Sequence, residues 1–168
     1  MTLTTHAIVG AALASFLTAS PLAAAAVAFA SHFALDAIPH WDYPIQSTAV
    51  QPNNTSALAY DRALVRDVVL IGFDALLGTL IGLALFATSA NFWVVLLGAA
   101  CAILPDPLQF AYGRLPREPL ASLQRFHVFI HTNVRLEGRP LLGLVTQVAF
   151  VVVVVAISLA LHRIWALT

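Results

Sequence analysis

Five apolar stretches, each approaching the ~20 residues that cross a hydrocarbon core, leave this chain little choice of fold. In a bilayer, where no water satisfies backbone N–H and C=O groups, such segments are stable as helices. The stretches are residues 5–18, 21–38, 64–87, 92–104 and 141–161. Pro21 suits the first turn of the second, where its missing N–H is no loss, and Asn91 is placed to cap the fourth. Composition agrees. Hydrophobic residues make up 60% of the chain and charged residues 10%, against roughly 45–50% and 25% in a soluble domain. The fold read from this pattern is all-α: one domain over residues 1–168, an integral membrane bundle of five transmembrane helices. An amphipathic interfacial helix over 120–134 is added, with Leu120, Leu123, Phe126 and Ile130 at helical spacing. No basic residue precedes the first run, so it reads as a span rather than a cleaved leader. Net charge is zero, which offers nothing to nucleic acid, and the single Cys101 excludes an internal disulfide.

Charge sets the expected orientation. Arg62, Arg66, Arg114, Arg117, Arg125, Arg135 and Arg139 fall on one side of the five spans, and only Arg163 on the other. The positive-inside rule therefore puts the N-terminus in the cytoplasm and the C-terminus outside, in a bacterial inner membrane. The irregular loop from residue 41 to 57 reads as a lid.

Ionisable groups in apolar segments are costly, and their default reading is a functional site. Here they are histidine and aspartate, which are divalent-metal ligands. His32 and Asp36 share a helix face one turn apart. Pro39 ends or kinks that helix, so His40 and Asp42 approach from a loop. His127 and His131 form a second four-residue pair on the interfacial helix, and His6 begins the first span. Asp106 stands between Pro105 and Pro107, which are expected to stop the fourth helix. Asp74, in the third span, reads as a ligand, a partner orienting a ligating histidine, or a structural bond to a neighbouring helix, with Gly72, Gly78 and Gly82 admitting that neighbour closely. Asp67 reads as a surface charge beside Arg66. With the stated topology all these groups gather toward the cytoplasmic face.

The expected metal ligands are thus His6, His32, Asp36, His127 and His131, with Asp74, Asp106 and His40 as catalytic or further ligating groups. Arg125 and Arg135 are expected to hold a phosphate headgroup. Zinc suits imidazole and carboxylate ligands, with manganese and iron as alternatives. The expected partner is membrane lipid or a lipid-linked substrate. Two readings from other classes use the same residues: a small ion- or proton-handling transporter, and a scaffold whose polar groups only tie helices together.

Thr5-His6, Ser31-His32-x-x-x-Asp36, Leu104-Pro105-Asp106 and His127…His131-Thr132 together resemble motifs of the bacterial membrane-bound metal-dependent hydrolases, a family compared with zinc-dependent phospholipase C. The chain differs from that family in having Pro107-Leu108-Gln109 after Asp106, where an acid and a histidine usually follow. Its paired histidines are four apart rather than five, and its Ser-His-Asp segment comes early. The resemblance implies hydrolysis of a phosphoester or similar bond. The topology is testable: a reporter fused after Thr168 is expected to report the periplasm and one inserted near Asn54 or Arg117 the cytoplasm, and a cytoplasmic C-terminus would overturn the span count.

Overall fold

A computed structural model describes residues 1–42, 44–46, 62–113, 115–134, 136 and 138–167. Among these residues the regular elements are all helices: α1 (Leu3–Ser15), α2 (Pro21–Asp36), α3 (Arg62–Phe86), α4 (Phe92–Ile103), α5 (Pro105–Tyr112), α6 (Leu120–Ile130) and α7 (Pro140–Trp165). Three helical segments are long and apolar enough to cross a membrane: α3, the run from Phe92 through Tyr112, and α7. Their lengths are roughly 37, 31 and 39 Å at 1.5 Å per residue. The first two apolar stretches form shorter helices, α1 and α2, of roughly 20 and 24 Å.

Although short, α1 is the hub of the bundle. Eleven of its thirteen residues are buried, and it packs against α2, α3, α4 and α7. Small residues permit this. A Cβ on Gly10 would lie 2.5 Å from both the Ala102 Cβ and the Gly98 carbonyl oxygen, so α1 and α4 touch backbone to backbone. Gly82 similarly admits Ala11, and Gly78 admits Thr4 and Ala7, whereas Gly72 faces open space. Close backbone approach of this kind is how helices associate where lipid removes the hydrophobic drive. The outer faces of α3 and α7 stay apolar: Val65, Val69, Phe73 and Leu76 on one, and Leu141, Val145, Val152 and Val153 on the other, are all exposed. Such faces suit hydrocarbon rather than water.

Local chemistry accounts for most boundaries. Ser20 caps α2, its hydroxyl accepting from the Ala23 N–H at 3.4 Å, with Pro21 as the first helical residue. Asn91 occupies the cap position of α4 but turns its side chain back, accepting from the Thr88 N–H (2.6 Å) and hydroxyl. Three expectations are corrected. The prolines around Asp106 do not stop the helical run: Leu104 keeps helical dihedrals (φ −54°, ψ −35°) and the chain continues as α5 with Pro105 at its first position, where proline is at home. The interfacial helix ends at Ile130, with His131 extended at φ −58°, ψ 132°, so His127 and His131 do not share a helix face. Asp67 is buried rather than a surface charge, accepting from the Gln46 N–H (2.7 Å) and pairing with Arg66 (3.1 Å).

The glycines yield a paired prediction. Gly10→Ala is expected to force α1 from α4 and lower stability by about 1–3 kcal/mol, as overpacking does. Gly72→Ala, with no neighbour to displace, is expected to be neutral or to add up to about 1 kcal/mol through helix propensity. Thermal unfolding in detergent measures both, and equal effects would sink the assignment of α1 as hub.

Candidate metal centre

Asp36 is the last residue of α2, and its carboxylate is only 2% exposed. A buried ionised carboxylate needs charge-bearing or donating partners, and here imidazoles approach it from four elements. From α2 itself, His32 Nε2 lies 3.1 Å from Oδ2; from α6, His127 Nε2 lies 2.9 Å from the same oxygen. From α1, His6 Nε2 lies 3.2 Å from Oδ1, and from the segment after α2, His40 Nε2 lies 3.9 Å from Oδ1. The start of α5 supplies a second carboxylate, Asp106, 3.4 Å from His32 Nε2, and its side chain remains 35% exposed.

Chain geometry explains the convergence. Because α2 stops at Asp36, the chain turns through Pro39 and folds His40 back toward the helix end instead of carrying it a further turn along the axis. The segment after α6 then lies against it: the Thr132 N–H donates to the Asp36 carbonyl (2.8 Å) and the Leu136 N–H to the His40 carbonyl (3.1 Å). These two backbone bonds bring His131 beside His40, with ring centroids 4.9 Å apart. His6 stacks on His32 at 4.0 Å.

The outward nitrogens fix the tautomers. His32 Nδ1 donates to the Ala102 carbonyl (2.8 Å), His40 Nδ1 to the Ile38 carbonyl (2.6 Å) and His131 Nδ1 to the Thr132 carbonyl (3.1 Å). A carbonyl only accepts, so each Nδ1 carries the proton, and in the neutral ring each Nε2 presents a lone pair. Those lone pairs point at carboxylates. His32 Nε2, His40 Nε2 and both nitrogens of His6 are buried without a hydrogen-bond partner. Acceptor facing acceptor at about 3 Å is unfavourable unless a proton or a metal cation lies between, and an Nδ1–H held by a carbonyl is the usual outer support of a ligating histidine.

Two groups of donor atoms are close enough to hold an ion. One comprises His32, Asp36, Asp106 and His127, the other Asp36, His40 and His131, with the atoms of each group within 4.8 Å of one another. Tetrahedral ligands at ~2.0–2.1 Å from zinc stand ~3.3 Å apart, close to the 2.9–3.4 Å separations in the first group. The donor set therefore fits a metal ion.

Asp42, which the ligand expectation left out, joins the second group's surroundings: Oδ2 lies 3.2 Å from His40 Nε2 and 3.9 Å from His131 Nε2. Burial alone would raise its carboxyl, but the His40 contact and the nearby amino group hold it below the ordinary carboxylate range. Burial pushes the His131 imidazole down, toward its neutral form. The His40-x-Asp42 spacing was the available signal. Gln147 was also missed; a single amide in an otherwise apolar run marks it. It is buried in α7, accepts from the Thr2 N–H and hydroxyl (both 3.0 Å) and donates to the Trp41 carbonyl (2.8 Å), tying α7 to the rim of the cluster.

One expected site residue lies elsewhere. Asp74 is spent on α1: Oδ2 accepts from the Leu3 N–H (2.6 Å) and Thr4 N–H (3.3 Å), and Oδ1 from the Thr4 hydroxyl (2.7 Å). It caps a helix whose first N–H groups have no intrahelical partner, so of its three readings the structural bond holds. Arg125 is exposed and paired with Glu118 at 2.8 Å. Arg135 lies outside the described residues, as does most of the presumed lid over 41–57. His162, at the opposite end of the bundle, hydrogen-bonds Ser15 (2.8 Å) and stacks on Phe16.

The chain matches no family model, no curated protein and no solved structure. The likeness to membrane-bound metal-dependent hydrolases stands on its motifs alone.

Capping and ligation separate by mutation. Asp74→Ala leaves two α1 N–H groups unsatisfied and is expected to cost about 1–3 kcal/mol per orphaned group, while metal content per folded chain stays at the wild-type value. Loss of metal in folded Asp74→Ala protein would restore Asp74 to the site.

Proposed function

We propose that this protein is a membrane-embedded metal-dependent hydrolase, multi-pass in a bacterial inner membrane. It would use zinc to cleave a phosphoester or similar bond of a lipid-like substrate at the cytoplasmic face. The observation that carries the reading is the convergence of donor atoms of His32, Asp36, Asp106 and His127 within 4.8 Å of one another, with His32 Nε2 and both nitrogens of His6 buried and without a hydrogen-bond partner. A relay conducting across the bilayer would need polar groups continuing through it, yet α1 between His6 and Ser15 is Ala-Ile-Val-Gly-Ala-Ala-Leu-Ala. In this reading α1 and α2 serve as the two short spans of a five-helix bundle, and α6 lies at the interface with Phe126, Val128 and Phe129 exposed toward lipid headgroups.

A bound zinc ion would supply Lewis acidity, making water a stronger acid and drawing charge from a phosphoryl oxygen. The chain's own groups do the rest. His32, Asp36, Asp106 and His127 hold the ion. In hydrolysis a water oxygen bonds to phosphorus, the P–O ester bond breaks, and the proton released by water passes to a base before the leaving alkoxide takes one up. His6, with both nitrogens unpartnered, can hold that proton at Nδ1 or Nε2. Asp106, the partly exposed member of the set, is the ligand a substrate reaches first. The exposed apolar faces of α6 and α3 keep the acyl part of a lipid in hydrocarbon while its headgroup meets the cluster.

Protein purified without added ions is expected to contain a transition metal, and Asp36→Ala or His127→Ala to weaken metal binding by more than about tenfold, the loss that even outer-shell changes can cause. Release of headgroup from phosphoester lipids is expected to fall with it. Metal-free wild-type protein of normal thermal stability would leave the scaffold reading in its place. Metal without hydrolysis of any phosphoester would leave ion handling.

A further inference from the structure

We propose that the cluster holds two cations that share the Asp36 carboxylate, an inference that deepens the hydrolase reading and rests on its metal site. The two oxygens of Asp36 face different imidazoles. Oδ2 is approached by His32 (3.1 Å) and His127 (2.9 Å), while Oδ1 is approached by His6 (3.2 Å) and, further off, by His40 (3.9 Å). The two ligand groups have only Asp36 in common, the first completed by Asp106 and the second by His131. Ligands ~2.1 Å from one ion lie at most ~4.2 Å apart, and among the described residues no set of donor atoms within 4.8 Å of one another joins the two groups, so one ion does not collect both.

The second group has the marks of a built site. His40 is 1% exposed, and its Nε2 has no hydrogen-bond partner. The Nδ1 atoms of His40 and His131 are both occupied by carbonyls, so both Nε2 lone pairs are presented to the same space. Asp42 stands beside both. The Met1 amino nitrogen rests between Asp36 Oδ1 (3.2 Å) and Asp42 Oδ1 (2.5 Å), so this is a place that draws positive charge, and the amine is the competing occupant. The ligands of the two groups also arise differently. The first comes from helices α2, α5 and α6, and the second from the segments that follow α2 and α6, so the second can be altered without touching the bundle. Paired cations on one carboxylate suit a substrate with two charged oxygens on one atom, as in a phosphate ester, which they can clamp together.

The test is metal stoichiometry of the full chain in detergent, stripped by chelator and titrated with Zn²⁺ alone. Wild-type protein is expected to bind two ions, and the His40→Ala/His131→Ala variant one. His131→Ala alone, at a half-buried position outside any helix, is expected to lose the second ion with no change in helix content or in the unfolding temperature of the metal-stripped protein. Asp36→Ala is expected to weaken both. With Co²⁺ in place of Zn²⁺, magnetic coupling between the ions is expected in wild type and absent in His131→Ala. One ion in wild type, or two that persist in the double variant, would overturn the proposal while leaving a metal hydrolase intact. Two uncoupled Co²⁺ ions would overturn the shared carboxylate. No bound ion at all would overturn the hydrolase reading with it.

Discussion

A single buried carboxylate organises this protein. Asp36 sits at the end of an apolar helix where an ionised group is tolerable only if its charge is met locally. Histidines from α1, α2, α6 and the segment after α2 meet it. Each is held in turn by something else: His32 by the Ala102 carbonyl of α4, His40 by its own turn, His6 by burial inside the hub helix. Removing the carboxylate would leave His6 and His127 in a low-dielectric pocket without the carboxylate they face. The bundle is therefore arranged around a polar centre as much as around an apolar core.

The scaffold that carries this centre is made possible by small side chains. Because glycine and alanine line the contacts of α1 with α3 and α4, a helix of only thirteen residues can be enclosed by longer ones. Its exposed N-terminal N–H groups are then satisfied from outside, by Asp74 of α3. That bond sets α1 along its axis and so sets the height of His6. Gln147 of α7 does the same for the chain just before α1 and for Trp41. Structural polar contacts and the ligand set are thus distinct groups of residues that cooperate: the first fixes helix positions, the second uses them.

The α4–α5 junction at Leu104 has a similar double character. Pro105 and Pro107 have no N–H to give, so the Cys101 and Ile103 carbonyls lose their intrahelical partners there. The Ala102 carbonyl between them accepts from His32, and α5 presents Asp106 on the other side of the same imidazole. A proline-bounded aspartate thereby contributes to the orientation of a histidine and to the charge it faces.

Much of this was legible in the chain. The apolar runs, the proline and serine at the start of α2, the break after Asp36 and the concentration of His and Asp toward one end follow from composition, local backbone chemistry and helix periodicity, all of which act over a few residues. The choice among Asp74's three readings was not legible, because it depends on which helix end lies opposite, and neither was the burial of Asp67. The i, i+4 spacing of His127 and His131 pointed to one helix face, but α6 ends between them, and backbone bonds to the Asp36 and His40 carbonyls place His131 in a different ligand group. Residue type and local period determined that the chain is helical, apolar and equipped with metal-binding side chains. Which of those side chains meet was decided only by tertiary structure, because convergence on Asp36 depends on the packing of α1 and the lateral pairing of segments some ninety residues apart, and no local pattern encodes either.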